Sequence, residues 1–456
     1  MGMKEKPSES LHKDAIGVVE SMVLGVAGTA PAFSVSATTA TLIGTVGVLA
    51  AGSLLYSGLT MFGIAIAFMH LNRVITNAGA SYAWVGQVFN PILGFYAGWA
   101  LLVASAVFMV SGTIPAATAT LALVNPELIS NHFVVSSVAA MWLILVSVVL
   151  LKGIKSTSLT QMIMTSVEIG VLSAVIIGSI YHFGKNGAHP FSWKWFYLTE
   201  FTPSLFSSGA LISLFFFWGW DVTLNLNEET KDSAVTPGLG AVGAMIIALL
   251  VFIGFEVAVL LAMDDAQIQA SGTNILVDIA KKLLPYPWSY LSVIAVMLSS
   301  VGTLETSILQ FTRTMYAKAR DGALKPRYAI LHKSWKTPWV ATSVIVVIGL
   351  SLLFMTSFFP NLNIIIKDSV NAIGFQVAFY YGLAGYACAW HFRKKAMKGI
   401  YPFITLMLWP AFSASFLVFI SLYSIPTFDW ITNLFGIGGI LLGTIPLYLN
   451  KKNKYF

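Results

Sequence analysis

The chain has 456 residues, of which 57% are hydrophobic and 10% charged, with a mean hydropathy of +0.79. Soluble domains carry about a quarter charged residues, so this composition excludes a soluble fold and implies one membrane-embedded unit. One cysteine, Cys388, and seven scattered histidines leave no intramolecular disulfide and make a metal or cofactor site a poor expectation, while the net charge of +7 needs its distribution read before it suggests a partner.

Residues 1–15 are polar, and the apolar stretch after them is too long for the core of a signal peptide, so the first helix is expected to be retained. A helix needs about 20 apolar residues to cross a bilayer. Residues 21–72 contain no Asp, Glu, Lys or Arg and leave room for two spans. Segment 74–126 is also free of them and predicts one span near 92–123, preceded by a re-entrant or surface helix. Segments 128–151, 337–366, 369–392, 399–428 and 430–450 are equally uncharged, whereas 156–184, 201–227, 241–263 and 283–312 hold one acid each. The expected fold is therefore an all-α integral membrane protein of about twelve spans.

With the N-terminus placed in the cytoplasm, 21 of the 26 basic residues fall on that side and five on the other. Such an excess marks the cytoplasmic loops, so both termini are expected there, in a multi-pass protein of the cell membrane. The positive charge is then a topology signal and calls for no nucleic acid. Loop 184–200 mixes Trp193, Trp195, Phe196 and Tyr197 with polar groups, as an interfacial segment on the outer face would. Loop 317–337 is strongly basic and suits the anionic inner leaflet.

Two spans carry breaks. Span 1 contains Gly25, Val26, Ala27, Gly28, Thr29, Ala30 and Pro31 in succession; proline removes a backbone donor and opposes the α conformation at Ala30. Span 6 contains Phe216, Phe217, Trp218, Gly219, Trp220 and Asp221, a glycine and an acid inside an aromatic run. Glycine and proline also serve close packing in membrane helices. Two breaks in corresponding positions, one beside an acid, point instead to a solute site near the bilayer midplane. Its candidate residues are Gly25, Ala27, Gly28, Thr29, Ala30, Phe216, Trp218, Gly219, Trp220 and Asp221.

Ionisable groups within a membrane are costly and usually functional. Asp221, Glu168 and Glu305 are the coupling or gating candidates; Glu256 reads as structural and Glu20 as solvated at a helix end. No nucleophile or metal motif of the HExxH or GxSxG kind is present, so no enzyme is expected. A receptor would need a sizeable extramembrane domain, and the sequence leaves no room for one.

Three stretches resemble the amino acid–polyamine–organocation superfamily of amino-acid permeases. Residues 313–324 (RTMYAKARDGAL) with Thr337-Pro338 are similar to its S-R-x-L-Y-A-x-A-R-D-G-x-L…T-P pattern, with Thr312 in place of the serine. Gly219-Trp220-Asp221 with residues 228–231 (EETK) and Pro237 resembles G-F-E…E-E-x-K-N-P…P. Residues 77–82 (NAGASY) with Gly94, Phe95, Gly98 and Trp99 resemble P-x-A-G-G-x-Y…G-F…G-W. The resemblance implies two inverted five-helix repeats, about 16–183 and 203–395, working by alternating access, with two additional helices in 396–450, polar segment 1–15 before and tail 451–456 after.

It also implies that spans 1 and 6 cradle an amino acid or an amino-acid-derived amine, with protons as a candidate coupling ion. Two departures stand out. Proton-coupled members often carry a lysine in span 5, where this chain has Glu168, seven residues after Gln161. The family's G-S-G-I of span 1 is replaced by Gly28-Thr29-Ala30-Pro31, which, with aspartate in the span-6 motif, resembles the putrescine-importer branch. A polyamine or monoamine importer is the alternative reading, with an ion-independent exchanger below it.

Overall fold

A computed structural model of the chain describes residues 10–358 and 362–452. Among these residues, nine helical stretches are long and apolar enough to cross a membrane, and the first, Val18–Val74, covers about two bilayer lengths at 57 residues.

That first stretch is three helices, α1 (Val18–Gly28), α2 (Pro31–Val46) and α3 (Ala50–Val74). The joint between α1 and α2 lies where proline sits at the first helical position, which it tolerates because its missing N–H would be unpaired there anyway. Ala30 before it takes a left-handed conformation, φ 48°, a strain of about 1–2 kcal/mol for a residue with a Cβ. A short helix, α4 (Ser81–Val88), precedes α5 (Pro91–Ser111) and α6 (Thr113–Val124), which follow one another through Gly112. This matches the short element and single span expected over 74–126.

Helices α7 (His132–Leu151) and α8 (Ile154–Phe183) are continuous. The second broken segment runs as α9 (Pro203–Ser213), a 3₁₀ turn Leu214–Phe217, an irregular stretch and one α turn, α10 (Val222–Asn225). Helix α11 (Thr236–Ala262) follows. Then come two short helices, α12 (Asp265–Ser271) and α13 (Ile275–Leu283), and the long α14 (Leu291–Arg320). Helices α15 (Trp339–Thr356) and α16 (Leu362–His391) precede the last two apolar stretches, Ile400–Thr427 and Trp430–Leu449.

Helix α14 is the polar spine of the bundle. It is buried along nearly its whole length, and its inward face carries Ser299, Thr303, Thr306, Gln310 and Arg313 at three- and four-residue spacing. That spacing stacks side chains on one helix face. Each of Ser299, Thr303, Gln310 and Arg313 bonds to a different part of the two broken segments or the loop after the second.

Candidate functional site

The two breaks meet. A Cβ on Gly28 would collide with the carbonyl group of Gly219, and one on Gly219 with the carbonyl of Gly28. Gly219 has φ +98°, a backbone region open to glycine and closed to most other residues. Only two glycines let these main chains approach so closely.

Above this contact lies a cavity of about 1190 Å³, lined at one end by Phe33, Ser36, Phe215 and Trp218. It extends to Asp278, Lys281 and Lys367 at the face opposite the strongly basic loop. Phe33 and Phe215 meet edge to face, ring centroids 6.4 Å apart. Of the ten residues expected at the site, Trp218 lines this cavity. The others pack beneath or beside it: Phe216 on Phe252, Trp220 on Phe68 and Tyr381, and Gly25 against α11 and α10. The aromatic pair Phe33 and Phe215 was missed by sequence reasoning, although each lies within three residues of a break.

The span-1 break spends its polar groups on the protein itself. Thr29 and Ala30 donate their N–H groups to the carbonyls of Val26 and Ala27, at 3.0 and 3.1 Å. Ala27 O also accepts the Thr303 hydroxyl, at 2.6 Å. Ala32 N–H donates to Glu168 Oε1 at 2.8 Å, and Phe33 N–H donates to Ser299 Oγ at 3.1 Å. The start of α2, where free N–H groups and the helix dipole favour an anion, thus holds the carboxyl of α8.

Asp221 is fully buried and accepts three hydrogen bonds: Gln310 Nε2 to Oδ1 at 2.7 Å, Tyr381 OH to Oδ1 at 2.9 Å and Tyr380 OH to Oδ2 at 3.0 Å. Trp218 Nε1 donates to Tyr380 at 3.1 Å, which joins the cavity wall to this cluster. Three neutral donors satisfy a buried carboxyl without a cation beside it. Glu305 accepts from Gln161 at 2.5 Å, and Gln161 also donates to Gly302 O, tying α8 to α14. Glu256 accepts from Thr39 and ties α11 to α2.

The basic face is sealed. Arg313 and Glu229, both buried, form a two-pronged pair at 2.8 and 3.1 Å. Arg320 binds Glu228 at 2.7 and 2.9 Å, and Glu228 accepts the N–H of Ala78. Asn225 reaches Ala78 O and Thr314, and Ile16 pairs with Thr230 in an isolated bridge. Every motif quoted above from 77–82, 228–231 and 313–324 contributes to this seal.

The chain is similar to transporters along most of its length. It is 22% identical to the serine/threonine exchanger of Bacillus subtilis (strain 168), over 88% of each chain. It is 26% identical to the low-affinity putrescine importer of Escherichia coli (strain K12), over 73% of this chain and 72% of the importer. The branched-chain amino acid permease of Lactococcus lactis subsp. cremoris is 25% identical, over 79% of this chain and 80% of that one. The amino acid permease family model matches residues 15–445. With its apolar helices, broken segments and transporter relatives, this multi-pass membrane protein belongs to the amino acid permease family.

Proposed function

We propose that the chain is a secondary transporter moving an amino acid or an amino-acid-derived amine across the cytoplasmic membrane by alternating access. The observation that carries this reading is the Gly28–Gly219 contact between two broken helices, at the foot of a cavity and above a sealed face. Solute enters from the cavity side, the two breaks adjust around it, and the seal on the basic face opens to release it. In this arrangement the basic face is cytoplasmic and the structure faces outward. Relatives that exchange serine and threonine or import putrescine support both substrate readings.

The helices fit twelve crossings: the first apolar stretch counts twice, and α9 with its broken continuation and α16 supply the remaining two. The two five-helix repeats are then about 16–183 and 203–395, with the last two apolar stretches added. Glu168, Glu305 and Asp221 are the residues we assign to coupling and gating, with protons as the coupling ion. Glu168 is foremost because it bonds directly to the break. Proteoliposomes holding the purified protein test the reading: uptake of a labelled amino acid or amine above that of protein-free vesicles is expected. Labels at Ser192 and Ser334 should react from opposite sides. Absence of any solute flux would overturn the transport reading, and labelling of both positions from one side the topology.

A further inference from the structure

We infer that the transported solute is a cationic amine without a carboxylate, because Glu168 of this chain occupies the position at which a substrate carboxylate would be held. The inference rests on the transport reading above and narrows it. An α-amino acid brings one anion that needs backbone donors, and the start of a half-helix is where such donors are found. Here none remains from Thr29 to Ser34. Thr29 and Ala30 donate to Val26 and Ala27, Pro31 has no N–H, and Ser34 donates to Ala30 O. Ala32 donates to the Glu168 carboxyl and Phe33 to Ser299, whose hydroxyl bonds Glu168 in turn.

A second carboxylate at this point would meet an acid already bound to its donors, inside a structure where Glu168 is 1% exposed. Like charges repel strongly where water is excluded. An ammonium group is attracted by the same surroundings. It would also find the aromatic side chains of Phe33, Phe215 and Trp218 on the cavity wall, residue types that attract a cation. The basic groups that line the cavity near its far end do not supply the missing anion site at its foot. Lys281 is 62% exposed and pairs with Asp278 at 3.3 Å.

Matched solutes test this directly in proteoliposomes: ornithine with putrescine, lysine with cadaverine, serine with ethanolamine and leucine with isopentylamine. Each amine should compete for uptake at least about tenfold better than its parent amino acid. Equal or better competition by the amino acids overturns the inference while leaving the transport reading intact. No flux of any of the eight would overturn both. In Glu168→Ala, which frees the Ala32 donor, the preference for the amine should fall at least about fivefold. Ligand-induced shifts in thermal unfolding give the same comparison if flux is lost. Should Glu168→Ala fail to fold, Glu168→Gln keeps an acceptor for Ala32 but removes the charge, and the same narrowing is expected. An unchanged preference in whichever variant folds would overturn the role given to Glu168.

Discussion

Gly28 and Gly219 lie 191 positions apart in the sequence, yet each occupies the space a side chain on the other would need. Their contact brings the two broken segments together at the foot of the cavity. A methyl group at either position meets main-chain atoms that cannot rotate away.

Gly28→Ala should therefore separate the breaks and reduce uptake at least about tenfold, and Gly28→Leu should abolish it. Gly219→Ala adds backbone strain, because its φ of +98° is disfavoured for a residue with a Cβ. Uptake per inserted molecule, with gel-filtration profiles to confirm folding, measures the effect. Near-normal flux from a well-folded Gly28→Leu protein would remove span 1 from the site.

The Glu168 carboxyl comes from a separate helix and binds the first N–H that α2 retains after Pro31, so its charge is expected to follow the conformation of the break. Glu168→Gln keeps an oxygen for Ala32 but cannot exchange a proton. Uptake driven by an inward proton gradient should fall several-fold, while counterflow exchange at equal pH persists. If gradient-driven uptake is unchanged, Glu168 only holds α2 in place and protons couple elsewhere or not at all.

The seal on the basic face divides into buried and surface parts. Removing one member of the Arg313–Glu229 pair strands a buried charge, at a cost of about 3–5 kcal/mol, so Glu229→Ala should lower thermal stability and yield. Glu228 and Arg320 are partly exposed, 22% and 35% by side chain, and such pairs contribute about 0–1 kcal/mol. Glu228→Gln should leave stability nearly unchanged and favour opening of this face. Spin labels at Thr76 and Lys325, both exposed, should then show a larger population at long separation. An unaltered distance distribution would mean that Arg320 and Glu228 do not gate.

Both breaks were legible because glycine and proline act locally, through φ and through the lost N–H. The short helix α4 was legible because residues 74–126 are too long for one crossing. The surroundings of the breaks were not. Asp221 takes its partners from Gln310, Tyr380 and Tyr381, which are 89, 159 and 160 positions away, and no local preference records such distances. A signal did exist in α14, where Ser299, Thr303, Thr306 and Gln310 recur at helical spacing within a stretch long and apolar enough to cross a membrane. Glu168 was visible as an acid in an apolar helix, but its bond to Ala32 depends on how α8 packs against the break.

Asp221 is the residue for which the structure changes the meaning of an experiment. As a bare membrane acid it would be expected to pair with a cation, and its neutralisation would weaken binding of a charged solute. Its three hydrogen-bond donors place it instead between the cavity wall and α14 and α16, beside Trp218 through Tyr380. In Asp221→Asn one oxygen becomes an NH₂ group, which must face a donor where it previously accepted. Hydrogen bonds to charged groups contribute about 1.5–3 kcal/mol each, so the variant should lose about 2–3 kcal/mol of stability. Transport rate should drop at least about tenfold, with a smaller change in apparent affinity. Tyr381→Phe should show the same pattern more weakly. The double variant should cost less than the two losses added, because both changes break the same bond. A large loss of affinity for cationic solutes alone, with stability and maximal rate preserved, would show that Asp221 contacts the substrate. Full activity of Asp221→Asn would mean that neither its charge nor its bonds enter the transport cycle.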